Sequence, residues 1–196
     1  MADPFHKALK ALAILLVVGF VAFSLYDGLI RGRDDYTLAM GAAHRSFEDG
    51  RYQAALDGFD TALQLKPGDP PAIYGQAISH MQLNQFDQAM TSFDLAIAAE
   101  SDLRNRAFYL ANRGILRDRL GLYRQALDDY NLALQLAPET AEGPGLLDRL
   151  LHNQAEKPPT IADRALYLRG ELAKPEGERL LAVPAVDEQQ RAEKAH

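Results

Sequence analysis

Alanine and an aromatic stand four residues apart at three places along the chain, as Ala55/Phe59, Ala89/Phe93 and Ala126/Tyr130. Three residues after each aromatic comes a further alanine, Ala62, Ala96 or Ala133. Successive copies are offset by 34 and then 37 residues. A period of that size describes stacked helix-turn-helix units, each too small to bury its own apolar face, rather than one globular core. Function is therefore expected on a binding surface and not in a catalytic pocket.

Each copy carries the same local chemistry. A small residue, Ala43, Ala77 or Gly114, sits midway along a first helix and lets a second helix approach closely. Gly50, Asn84 or Gly121, residues that tolerate a left-handed backbone, end that helix. An aromatic then follows (Tyr52, Phe86, Tyr123), and the alanine and aromatic of the repeat pack one and two turns along the second helix.

The front of the chain is different. Residues 11 to 26 (ALAILLVVGFVAFSLY) hold no charge, and up to Ile30 only Asp27 intervenes. Twenty residues rising about 1.5 Å each make about 30 Å, the thickness of a bilayer's hydrocarbon core, so a membrane-spanning helix is expected over 11–30. The alternative is a cleaved secretory signal, with Lys7 and Lys10 before the apolar run and Ala22-Phe23-Ser24 as a small-x-small cleavage site. Arg31 and Arg33 follow the run as stop-transfer residues do, which favours an uncleaved anchor. Lys7 and Lys10 balance Arg31 and Arg33, so the positive-inside count is a draw. A ten-residue tail before one apolar segment is the layout of a signal anchor, with the N-terminus in and the bulk outside the cytoplasm. The chain has no cysteine, which excludes lipoprotein acylation, disulfides and thiolate metal sites.

Between Tyr36 and Pro138 the pattern resembles three tetratricopeptide repeats, on the A-x3-F spacing and the closing prolines Pro67 and Pro138. The units are 36–69, 70–103 and 107–140; the middle one has Ser101 at the closing position, where the spacing gains three residues. The first helices depart from the family pattern, whose tryptophan is here Ala39, Ile73 or Leu110 and whose tyrosine is Ser46, His80 or Arg117. The fold class that follows is all-α, an N-terminal transmembrane helix (11–30, after a cytoplasmic tail 1–10 and before a linker 31–35) leading into an α-solenoid over 36–138. C-terminal helices are expected over 141–173: a cap at Gly145–Glu156 with Leu146, Leu147, Leu150 and Leu151, then a helix capped by Thr160 and Asp163 with the stripe Ile161, Ala165, Leu168 and Leu172. An extended tail over 174–196 carries the apolar cluster Leu180, Leu181, Val183 and Val186 and is expected to dock on the stack or on a partner.

The resemblance implies a concave inner face built by fixed positions of the first helices. These are Thr37, Met40, His44, Phe47 and Glu48, then Pro71, Tyr74, Ile78, Met81 and Gln82, then Phe108, Ala111, Ile115, Asp118 and Arg119. The partner-binding groove is expected to rest on Met40, His44, Phe47, Tyr74, Ile78, Met81, Phe108 and Ile115. Thioethers and rings on such a face suit a helix or an extended peptide. The family's clamp for acidic C-terminal peptides needs cations, and its positions hold Met40, His44, Gly75, Phe108 and Asn112, so that ligand is not expected.

Residues 36–103 carry three basic and nine acidic side chains, whereas 104–138 carry six arginines against three aspartates. Arg106, Arg113 and Arg117 share a helical flank and either meet lipid phosphates or pair with Asp102, Asp118 and neighbouring acids. A net charge of −6 does not suit nucleic-acid binding. Among the five scattered histidines, His44 shares a helical face with an acid, Glu48, but a third ligand is missing nearby, so no metal and no other cofactor are expected. No nucleophile elbow or phosphate loop appears, so an enzyme and a small-molecule substrate are not expected either. The function read from the sequence is a membrane-anchored repeat scaffold, at a bacterial-type inner membrane with its repeats in the periplasm, holding or assembling a membrane protein complex. The runner-up is a cleaved, soluble periplasmic peptide-binding or chaperone module, and a third class is an enzyme's accessory domain.

Overall fold

The computed structural model describes Lys10 and residues 12–23, 34–138 and 160–182, which are helical with connecting turns and contain no strand. Six helices form three pairs: α1 (Asp35–Glu48) with α2 (Tyr52–Leu65), α3 (Pro70–Gln82) with α4 (Phe86–Ala99), and α5 (Leu103–Arg119) with α6 (Tyr123–Leu136). A seventh, α7 (Ile161–Ala173), packs on α6, and a 3-10 turn follows at Glu176–Glu178. Each second helix also packs on the first helix of the next pair, so the units stack in chain order.

The start and stop of each first helix follow from its sequence. Asp34, Asp69 and Asp102 cap them, each accepting a hydrogen bond from a backbone N–H three residues on (Thr37, Ala72, Asn105). Gly50, Asn84 and Gly121 end them with φ of 73°, 58° and 75°. Around each the same two backbone bonds close the helix, Gly50 N–H to Phe47 C=O and Arg51 N–H to Ser46 C=O in the first unit. The second helices need no side-chain cap because they begin directly on that closed turn. The three-residue lengthening of the third unit lies in α5, which starts at Leu103, one turn before Ala107, and runs 17 residues.

The repeated alanines and aromatics are the core. Ala55, Phe59, Ala89, Phe93, Ala126 and Tyr130 are all fully buried. The close approach of helices depends on positions without bulk: a Cβ on Gly114 would come within 2.6 Å of Tyr130, and one on Gly75 would run into the Phe59 ring.

A polar contact also repeats. The residue after each second-helix aromatic bonds the next first helix: Gln76 Nε2 donates to Asp60 (2.5 Å), Arg113 Nη1 to Asp94 (2.5 Å) and Arg169 Nη2 to Asn131 (2.7 Å). By this register α7 stands where the first helix of a fourth unit would stand. Thr160 and Asp163 cap it with a complete capping box. Ala165 and Leu168 seal it against Ala126 and Tyr130, while Leu166 is 67% exposed and Gly170 has no neighbour within 4 Å among the described residues.

Among the described residues no helix is long and apolar enough to cross a membrane. Residues 12–23 are helical and exposed. The rest of the expected span, residues 11 and 24–30, the expected cap at 145–156, and Val183 and Val186 of the expected tail lie outside the described residues.

Candidate partner-binding groove

The concave positions sort into a usable face and a buried margin. Tyr74 is half-buried, stacked on Tyr109 with ring centres 4.6 Å apart and planes 13° from parallel, and tilted against Phe108 (5.3 Å) and Phe93 (6.0 Å). Phe108 is 52% exposed at the edge of this aromatic set. The middle of the groove therefore presents a ring ready to cover apolar surface, backed by rings that hold it in place. Burial, and then the neighbouring Tyr109, push the Tyr74 phenol up, so it stays a neutral hydroxyl. Burial, and then the nearby buried Glu100, push the Tyr109 phenol up as well, and the Glu100 carboxylate accepts the Asp102 N–H at 2.9 Å.

In the first unit Met40 and Phe47 are half-buried against the Ala43, Ala55 and Phe59 cluster, and Phe47 meets Tyr52 edge-on at 5.3 Å. His44 is exposed; its Nδ1 lies 2.8 Å from the Met40 carbonyl and its ring stands edge-on to Phe59 at 5.2 Å. Ile78 is half-buried beside Tyr74 and Ile115 is half-buried beside Tyr130. Thr37, Glu48, Pro71 and Arg119 are exposed, and Gln82 is partly buried.

Three concave-face assignments, Met81, Asp118 and Ala111, are corrected. Met81 is 2% exposed and packs among Ala77, Ala89, Phe93 and Leu116. It follows Ala77 by one turn, and the neighbouring unit's Leu116 completes its burial, so it is core. Asp118 is 7% exposed because Arg164 of α7 covers it, donating from Nε and Nη2 at 2.7 Å each, and Tyr130 Oη donates to it at 3.3 Å. Ala111 is also buried. Met81 and Asp118 are buried by residues beyond their own unit, a contact that no single repeat contains, whereas Ala111 packs with Ala133 and Ala137 inside its own.

Arg106, Arg113 and Arg117 of α5 are internal fasteners. Arg113 grips Asp129 with Nε and Nη2 (3.0 and 2.6 Å), and Arg117 reaches the same carboxylate at 2.8 Å. Arg106 donates to the Glu100 carbonyl. Their partners are thus Asp94, Asp129 and a backbone oxygen rather than Asp102 and Asp118, while the buried Nε atoms of Arg106 and Arg117 have no hydrogen-bond partner among the described residues. Desolvation lowers the Arg113 pKa, but its two aspartates outweigh that and keep it raised.

Sequence reading missed three functional candidates on α7. With Arg169 in register with Arg113 and Gln76, Arg164 matches Phe108 and Pro71, Tyr167 matches Ala111 and Tyr74, and Glu171 matches Ile115 and Ile78. The shared Tyr-x2-small spacing of Tyr74/Ala77 and Tyr167/Gly170 is the signal that would have found them.

The stacked pairs, the shared inter-unit contact and the aromatic concave face define a helical-repeat solenoid. The family model described as tetratricopeptide repeat matches residues 46–111, a part of that solenoid. Human Protein O-mannosyl-transferase TMTC1 is 34% identical over 106 residues, 50% of this chain and 12% of that protein. Human RNA polymerase II-associated protein 3 is 27% identical over 116 residues, 58% of this chain and 17% of that protein. The chain thus spans less than a fifth of either relative's length. Among solved structures, the first such domain of Spaghetti (RPAP3), bound to the HSP90 peptide SRMEEVD, superposes with a TM-score of 0.56 at 20% identity, covering 72% of this chain and 96% of that one. The first such domain of human RPAP3 gives 0.51 at 21% identity, covering 73% and 100%. These likenesses concern the fold.

Proposed function

We propose that this protein is a tetratricopeptide scaffold that holds a protein partner on its concave face and is anchored to a membrane by residues 11–30. The observation that carries the reading is the aromatic set of Tyr74, Phe108 and Tyr109, with Phe108 half-exposed although it stands in contact with two other rings. A large ring kept in water on a pre-formed face is the type of group that becomes an anchor when a partner excludes the water. A fold relative is known bound to a peptide, which supports a peptide-like ligand. The acidic tail of that peptide is not carried over, because Met40, His44, Gly75, Phe108 and Asn112 supply no fixed positive charge for it.

The anchor rests on composition and exposure together. Leu15, Leu16 and Phe20 are 69%, 67% and 71% exposed on a helical segment without a charge from residue 12 to 23. Such a helix, apolar on every side, needs a lipid or protein environment. The proposed site of action is the inner membrane of a bacterial-type cell, with the repeats in the periplasm and a membrane protein complex as partner. Capture of the full chain in mild detergent, wild type beside Phe108→Ala, tests the groove. Carbonate extraction and N-terminal sequencing test the anchor: a mature chain beginning at Leu25 favours a soluble module in its place.

A further inference from the structure

Beyond Glu178 the chain turns back and runs along α7 toward that helix's N-terminus. It is held there by three side chains acting on its backbone. The Leu180 N–H donates to Glu171 Oε2 at 2.8 Å, Tyr167 Oη donates to the Leu180 carbonyl at 2.6 Å, and Arg164 Nη2 donates to the Leu181 carbonyl at 2.9 Å. Glu171, Tyr167 and Arg164 lie on successive turns of one helix face, so an extended chain meets them in order. They also occupy the concave positions that α7 shares with α3 and α5. The Leu181 side chain joins the cluster of Ala126, Tyr130, Ala165 and Leu168, whereas Leu180 remains 68% exposed.

Two of the receiving groups are also held by side chains other than the tail's. Asp118 orients Arg164 through two hydrogen bonds, and Lys174 holds the other Glu171 oxygen at 2.6 Å. The backbone bond from Leu180, and then Lys174, hold the Glu171 carboxyl below the usual carboxylate range. Backbone-directed bonds at the ends of rigid side chains, plus one aliphatic seat, form a receptor for an extended peptide and read little of its sequence beyond the residue at the Leu181 position.

We propose that the α7 end of the concave face is an extended-peptide site, occupied in cis by residues 179–182, and that a partner segment enters it by displacing them. The segment is apolar and extended, with an aliphatic side chain where Leu181 sits. The proposal deepens the concave-face reading but concerns α7 and the tail alone, so its test is independent of Phe108. A tethered tail competes at an effective concentration on the order of millimolar, which excludes a free peptide of equal intrinsic affinity.

The experiment uses the full chain and a fluorescent synthetic peptide of residues 178–184, followed by anisotropy. Wild type is expected to bind it at least about tenfold more weakly than Leu181→Asp, whose own tail no longer fits. Adding Tyr167→Phe to Leu181→Asp removes one donor and should weaken the peptide roughly two- to tenfold. Should Leu181→Asp disturb folding, judged by its thermal melt, Leu181→Ser replaces it. Hydrogen exchange on wild type should show the Leu180 amide protected, and protection lost in the variant. Equal binding to wild type and variant, no binding to a folded variant, or an unprotected Leu180 amide each overturn the proposal.

Discussion

Arg164 and Asp118, 46 residues apart, form a two-pronged ion pair with both side chains buried, joining the last described helix to the third repeat. A buried pair is costly to break because the surviving charge is left without water or partner. Asp118→Ala is expected to lose about 3–5 kcal/mol in urea unfolding, and Asp118→Leu with Arg164→Met together to lose less than that single change. Equal stability of Asp118→Ala and wild type would show that α7 is not fastened there.

The glycines provide a test with opposite signs. Alanine normally improves a helix over glycine by about 1 kcal/mol. Gly170 has an open Cβ direction among the described residues, so Gly170→Ala should raise the melting temperature. At Gly114 the new methyl meets Tyr130 at 2.6 Å and should lower it, because a packed core cannot yield that much without strain. Two shifts of the same sign would contradict the helix spacing described.

Asp69 ties the first two units together, accepting from Tyr36 Oη at 2.5 Å, the Ala72 N–H at 3.2 Å and Lys66 at 2.5 Å. Burial pushes its carboxyl up from 3.8, but the Lys66, Tyr36 and Ala72 hydrogen bonds outweigh that and leave it lowered. A group lowered by folding contributes stability above its unfolded pKa of about 4 and loses that contribution as pH falls through the folded value. Melts at pH 5.5 and pH 3 should therefore differ less for Asp69→Asn than for wild type. An identical loss in both would remove Asp69 from the acid-sensitive set.

Much of the stack is legible in the sequence because its core is local. Ala55 and Phe59, or Ala126 and Tyr130, lie on one helix face, and Gly50, Asn84 and Gly121 mark turns that need a left-handed residue wherever they occur. What was not legible depends on neighbours. Met81 is drawn into the core by Leu116 of the following unit, Asp118 is covered by a residue 46 positions away, and Arg113 selects Asp94 and Asp129 across 19 and 16 residues. The extra turn of α5 shows in the 37-residue offset, but its place before Ala107 follows from the Asp102 cap. The α7 site was hidden because residues 139–159 separate it from the repeats and interrupt the period.

The most direct test of the concave-face account measures partner retention and melting on the same variants of the full chain. Phe108→Ala changes a half-exposed ring, so the melt should shift only slightly while retention of the wild-type partner falls at least about tenfold, as for an interface anchor. Met81→Ala, a core truncation costing about 2–5 kcal/mol, should lower the melt instead. Full retention of the partner by Phe108→Ala would contradict the account and move the contact to the N-terminal helix or the tail.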